Sequence, residues 1–463
     1  MGDLRRDATE IWTAGLDAVR AQPLVQRSVQ RDGDHLVIDD QTWSRSQFDR
    51  VVLVGGGKAG TAMARGFLDA IGDWLPVIGW LNVPAGTEPA SKDGTEAKLG
   101  NVTIHPARPA SVNEPTDAGV EGTSEILQMV ANAGPRDLCV ALISGGGSAL
   151  LPAPAVGITL EDKQAVTRFL SAAGADITEL NTVRKHLSRI KGGGLLQACR
   201  ASHLITLILS DVLGDPLDVI ASGPTVNDTS TAEDALRVLG KLDPNQQLPP
   251  SVYRLLEHPP SGSTSPPESS VLSSLCVIGN NAVAVDHSGI RAEQLGYNHV
   301  MQSARECEGS AEDVGRHLAD MTVQMLRPPS DAHQTDCLIT GGEPIVTLAP
   351  ADIRGKGGRN QQLVLAAYQR LLEHELSEDE WSRVCILSGG TDGEDGPTDA
   401  AGALIDGHIH QSAVQLGLEI GDSLKRNDAY TFFDSIGGLL MTGPTGTNVC
   451  DVRVAVVASD IVR

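Results

Sequence analysis

Aromatic residues make up only 3% of the 463-residue chain, and its net charge is −23. A surface this acidic repels phosphate backbones, and few rings remain for bases to stack on, so nucleic acid is not an expected partner. Cysteine is scarce and scattered. Cys139, Cys199, Cys276, Cys307, Cys337, Cys385 and Cys450 are odd in number and contain no CxxC pair. That pattern argues against a disulfide framework or a zinc site and fits reduced thiols in the cytoplasm. No apolar run reaches the length of a membrane span. The opening MGDLRRDATE lacks the apolar stretch of a signal peptide, and Arg6 stands where a myristoylation signal needs Ser or Thr. The expectation is a soluble cytoplasmic protein with no membrane partner. Its oligomeric state is open, a homodimer among the options.

What is present is ordinary globular material, 41% hydrophobic and 21% charged, in a length that suggests two domains with a cleft. Short apolar runs alternate with amphipathic stretches. Val51 to Val54, Val77 to Val83, Leu138 to Ile143 and Leu204 to Leu209 read as buried strands, with helices over residues 116–133 and 160–173. This βαβ rhythm predicts an α/β fold of two domains, each a mainly parallel sheet flanked by helices. The Pro- and Ser-rich stretch HPPSGSTSPPESS reads as a linker, dividing the chain into 1–257, a linker at 258–270, and 271–463. The rhythm resumes at Leu275 to Ile278, Cys337 to Thr340 and Val384 to Leu387, and Val452 to Ala458 closes the chain.

Four strands end in glycines: VLVGGGK (52–58), LISGGGS (142–148), LITGGEP (338–344) and ILSGGTD (386–392). In open parallel sheets ligands sit outside the carboxyl ends of strands, so four such loops point to a polar ligand held between the domains. The first, with Gly55, Gly57 and Gly60, formally fits the dinucleotide fingerprint GxGxxG. The following strand runs into Pro84 and Ala85 without a ribose-binding acid, and Lys58 brings a charge better suited to a phosphate or carboxylate.

Arg184 to Lys191 carries four cations and no acid in eight residues. On a helix, Arg184, Ser188 and Lys191 would share one face, either an anion site or a solvated basic surface. Asp211 just past a strand is placed as a base, a magnesium ligand or a turn cap. Beyond the linker, Glu343, Arg354, Lys356 and Arg359 surround a glycine-rich stretch in which arginine can grip a carboxylate or phosphate with two hydrogen bonds. The loop after the fourth glycine strand gathers Asp392, Glu394, Asp395 and Asp399, which either hold magnesium or are merely solvated.

The ordered set VGGGKAG, SGGGSALL, NTVRKHLSRIKGGGL, SDVLGD with IASGPTV, GGEPIVTL, GKGGRNQQL and SGGTDGEDGPTDAAGA, spanning residues 55 to about 447, resembles the glycerate 2-kinase family. The resemblance implies a Rossmann-like N-terminal domain and a C-terminal MOFRL domain. It also implies transfer of the ATP γ-phosphate to the 2-hydroxyl of D-glycerate, with Mg2+ or another divalent cation, in an interdomain cleft. The family's important lysine and arginine fall on Lys58 and Arg359, with Asp211 the third catalytic candidate. Gly56, Gly57, Ser144, Gly145, Gly146, Gly147, Ser148, Arg184, Lys191, Ser222, Gly223, Glu343, Lys356 and Asn360 are the expected substrate or nucleotide contacts, and Asp392 and Asp395 the metal ligands. Two departures stand out. Gln362 replaces a family Glu, removing a carboxylate near the site, and HPARPASVNEPTDAG replaces a tighter family segment, displacing Pro115 and Asp117. The competing readings are an NAD(P)-dependent hydroxypyruvate reductase and a non-enzymatic anion sensor.

Overall fold

The computed structural model describes residues 3–90, 97–110, 112, 114–259, 271–329 and 335–458. The chain forms two compact units, one of Ala21–Ile278 and the other of Met1–Arg20 with Gly279–Arg463. These boundaries differ from the expected segments at both ends. Helix Leu4–Ala18 belongs to the later unit, where the Trp12 indole donates to the carbonyls of Gly389 (3.3 Å) and Val452 (3.1 Å). Strand Leu272–Gly279 instead joins the sheet of the earlier unit beside His203–Leu209. Of the expected linker, residues 260–270 lie outside the described residues.

In the unit Ala21–Ile278, the apolar runs become the buried strands Arg50–Gly56, Val77–Pro84, Val102–Arg108, Asp137–Ser144 and His203–Leu209. They pair in parallel, and burial on both faces explains why they are continuously apolar rather than alternating. Across the sheet, the first strand in sequence lies in the middle. The second and third lie to one side of it, the fourth and fifth to the other. That order creates a switch point between Arg50–Gly56 and Asp137–Ser144. Helices Gly60–Ile71, Asp117–Ala131, Leu160–Ala172 and Ile177–His186 are all present, the last two opened by capping boxes at Thr159 and Asp176.

The later unit is also α/β, but strand direction there departs from the expectation of a mainly parallel sheet. Its order is His299–Ser303, Cys337–Gly342, Asp451–Val457, Val384–Gly390, Gly402–Asp406, Leu439–Leu440. Only the first pair is parallel; the remaining neighbours are antiparallel. Val384–Gly390 returns to Gly402–Asp406 through a loop with no crossover helix, which dictates an antiparallel pair. The closing strand then enters between two strands that both end in glycine, so that Asp451 is in register with Gly342 on one side and Gly390 on the other.

Candidate active site

At the switch point the two glycine loops lock together. Lys58 N donates to Gly145 O (2.8 Å) and Ala59 N to Ser144 Oγ (3.1 Å). A β-carbon on Gly57 would overlap Ser144 Oγ, so only glycine permits this approach. Gly146 is left-handed (φ 74°), and a β-carbon there would lie 3.3 Å from Arg108 Nη2 and 3.4 Å from Lys58 Cγ. Two cationic side chains therefore pass close to one bare loop. Arg108 was not expected from the sequence, although it lies in the segment HPARPAS that departs from the family pattern. Its guanidinium is buried, which lowers its pKa, and Nε has no hydrogen-bond partner.

Deeper along the same edge, Ser148 gathers the next group. Its Oγ accepts from Lys191 Nζ (2.5 Å) and Arg184 Nη2 and lies 3.0 Å from Ser222 Oγ. Ser222 donates to Asn181 (3.0 Å) and is held at φ 62°, after Ala221 at φ 51°. Two successive non-glycine residues in the left-handed region mark a turn kept under strain, and Gly192 and Gly193 stabilise it by donating to the carbonyls of Ser222 and Gly223. Arg184 and Lys191 do converge, but not through a shared helical face. The helix stops at His186, and the non-helical stretch 187–190, where Ser188 bridges to Pro154, carries Lys191 back to Ser148. Arg184, Lys185 and His186 in that last turn suit a helix C-terminus. Lys185 has a structural task, pairing with Asp218 (3.3 Å) and Asp228 (3.4 Å).

Lys163, a second residue the sequence did not signal, lines a pocket together with Ser148, Arg184 and Lys191. Burial, reinforced by Arg184, lowers its pKa to about 7, and burial with Arg184 and Lys163 lowers that of Lys191. Asp211 stands two residues beyond His203–Leu209, on the carboxyl edge that this strand shares with the Ser144 loop. Near the end of the second strand lies the fully buried Asn82. Its amide nitrogen donates to Leu150 O, Gly119 O and Thr123 Oγ1.

In the later unit, Arg359 opens helix Arg359–Glu373. Its Nε and Nη2 form a two-pronged contact with the fully buried Asp451 (2.6 and 2.9 Å), while Nη1 reaches Glu343 (3.1 Å). The fork expected to grip a ligand is thus held by Asp451, leaving the Nη1 side of the guanidinium toward Glu343. Burial raises the Glu343 pKa; Arg359 opposes that, and Asp451 and Asp392 add to it.

Two expected contacts have structural tasks here. Asn360 is enclosed, its Nδ2 on Asp395 (3.3 Å) and its Oδ1 accepting from Ser388 (2.5 Å). Asp395, expected as a metal ligand, accepts the Asn360 and Gln361 backbone N–H groups at 3.0 and 2.8 Å and so anchors the start of the helix. Burial raises its pKa to about 7 against the pull of those donors. Lys356 lies over the Tyr430 ring, 3.7 Å from its centroid, and 4.0 Å from Asp399. Gln362 is not at the Arg359 cluster; it donates to Glu312 (3.0 Å) and Leu424 O, a place where a glutamate would meet Glu312 as a like charge.

Among the described residues no group of three or more His, Cys, Asp or Glu side chains is arranged to hold a metal ion.

Residues 7–257 match the family described as a domain of unknown function (DUF4147), and residues 336–451 match the MOFRL family. The glycerate kinase of Danio rerio is 36% identical over 503 aligned residues, covering 98% of each chain. The D-glycerate 2-kinase of Thermotoga maritima is 34% identical, covering 90% of this chain and 93% of that protein. The chain belongs to the glycerate 2-kinase family. Membership makes it an enzyme and agrees with its two α/β units. A crystal structure described as a glycerate kinase from Thermotoga maritima superposes with a TM-score of 0.81 at 32% identity, covering 98% of this chain and 99% of that one.

Proposed function

We propose that this kinase transfers the γ-phosphate of ATP to the 2-hydroxyl of D-glycerate, giving 2-phospho-D-glycerate and ADP. The observation that carries the reading is the meeting of Lys58 and Arg108 over the bare Gly146 loop at the switch point, where a parallel sheet receives a polyanion. Phosphoryl transfer needs positioning and positive charge more than covalent help, so each residue has a simple task. Lys58 neutralises charge on the transferring group. Arg359, oriented by Asp451, offers its Nη1 side as a second cation in the same reaction. Asp211 takes the proton of the attacking hydroxyl. Asp392 would hold a divalent cation, which when bound screens the phosphate charge. Scattered free cysteines support a cytoplasmic setting. No helix among the described residues is long and apolar enough to cross a membrane.

The absence of an acid from Val77 to Ala85 weighs against the reductase reading, since it leaves no carboxylate for a ribose at the end of that strand. The test gives purified protein D-glycerate, ATP and magnesium in one tube, and hydroxypyruvate with NADH or NADPH in another. ADP formed only when D-glycerate is present is the expected result. Nicotinamide oxidation without ADP would overturn the proposal, and ligand binding without turnover would favour a sensor.

A further inference from the structure

We propose that Lys163 completes an oxyanion pocket with Arg184 and Lys191, and that this pocket takes the carboxylate of the hydroxy-acid substrate. The inference rests on the kinase reading for the identity of that acid, but the pocket stands on its own geometry. Lys163, Arg184 and Lys191 line one small cavity of about 60 Å³ beside Ser148, Pro152 and Val166. Lys163 and Lys191 are only 7% and 4% exposed. Their hydrogen bonds go to neutral oxygens: Lys163 to Leu187 O (2.9 Å), Lys191 to Ser148 O (2.9 Å) and the Ser148 and Ser222 hydroxyls. Arg184 likewise donates to Ser148. Among the described residues, no carboxylate forms an ion pair with any of the three.

Neighbouring cations do have acidic partners. Lys185, equally buried, is matched by Asp218 and Asp228, and Arg168 at the pocket wall is matched by Glu114 (2.6 Å). Buried cations without a counter-charge are costly, and clustering them raises the cost, so the arrangement calls for an anion from outside. A small anion suits the space. A cavity of about 60 Å³ has room for a carboxylate and its adjoining carbon. The apolar faces of Pro152 and Val166 suit that carbon, while the glycine loop at Lys58 is left for the nucleotide.

The charged groups facing Lys163 across the pocket are Arg184, Lys191, Arg168 and Glu114. With burial and Arg184 bringing Lys163 to about 7, the free pocket loses a charge above neutrality and should hold an anion less well there. The experiment is calorimetric titration of D-glycerate into the full chain with a non-hydrolysable ATP analogue present, at pH 6 and pH 9. Glycerol and inorganic phosphate serve as probes lacking the carboxylate. D-glycerate is expected to bind more tightly at pH 6 than at pH 9, and glycerol not to bind. Lys163→Met should raise the D-glycerate Kd by about 10- to 100-fold, the worth of one charged hydrogen bond, while leaving ATP affinity unchanged. The wild-type pH comparison stands even if that variant folds poorly. D-glycerate binding that ignores both Lys163→Met and pH would overturn the pocket, as would phosphate displacing D-glycerate in a Lys163-dependent way. Lys163-dependent binding of another short hydroxy acid but not D-glycerate would uphold the pocket and refute the substrate assignment.

Discussion

Replacing Asp451 with asparagine tests what holds Arg359 in place. The substitution keeps shape and volume but removes the charge that accepts both prongs of the guanidinium, and it sets an amide N–H₂ against a donor. Asp451 is fully buried, whereas the Arg359 side chain is 34% exposed, so solvent screens part of the loss. Breaking a wholly buried pair from one side costs about 3–5 kcal/mol; discounting for that exposure leaves about 2–3 kcal/mol. In a unit of this size each kcal/mol lowers the midpoint by about 2–4 °C, so the melt of the later unit should fall by about 4–12 °C. A cation no longer aimed at the reaction should also lower kcat by about 10²-fold. Calorimetry and steady-state kinetics on Asp451→Asn read both effects. A melt matching the wild type, with kcat within twofold, would refute the claim that Asp451 orients Arg359.

Lys58→Met keeps the apolar stem and removes the charge, so kcat should fall by about 10²–10³-fold with an unchanged melt; near-normal turnover would reduce the glycine loop to a tight turn. Gly57→Ala forces a β-carbon onto Ser144 Oγ and should abolish activity while destabilising the Ala21–Ile278 unit, read by thermal melt. Lys163→Met carries a stability signature of its own. With a folded pKa of about 7 and an unfolded value of 10.5, the unfolded chain binds the extra proton between those pH values, so wild-type stability rises with pH there. The variant lacks that slope, and its melting advantage over the wild type should be largest at pH 6 and shrink toward pH 10.

The first sheet was legible because parallel strands buried on both faces must be continuously apolar, and VVLV, LCVALI and LITLIL announce them. Strand direction in the second sheet was not, since an apolar run such as that at Val452 reads the same in either direction. Pairing of Leu4–Ala18 with the later unit depends on contacts nearly four hundred residues apart, such as Trp12 with Gly389, which local pattern does not encode. Lys58, Ser148, Arg184 and Lys191 stand out in the sequence because glycine loops and an unbalanced charge run mark them. Arg108 and Lys163 do not stand out in the sequence, since each is one cation in an ordinary stretch, and only burial without an acid singles them out. Asn360 and Asp395 show the converse: a polar residue in a motif can be spent on starting a helix.

Phosphorus NMR of the product tests the central claim most directly. D-glycerate, ATP and magnesium incubated with the protein should give the resonance of 2-phosphoglycerate, in step with ADP, and Lys58→Met should slow its appearance by at least 10²-fold. A 3-phosphoglycerate signal, or ADP and inorganic phosphate with no phosphoglycerate, would contradict it.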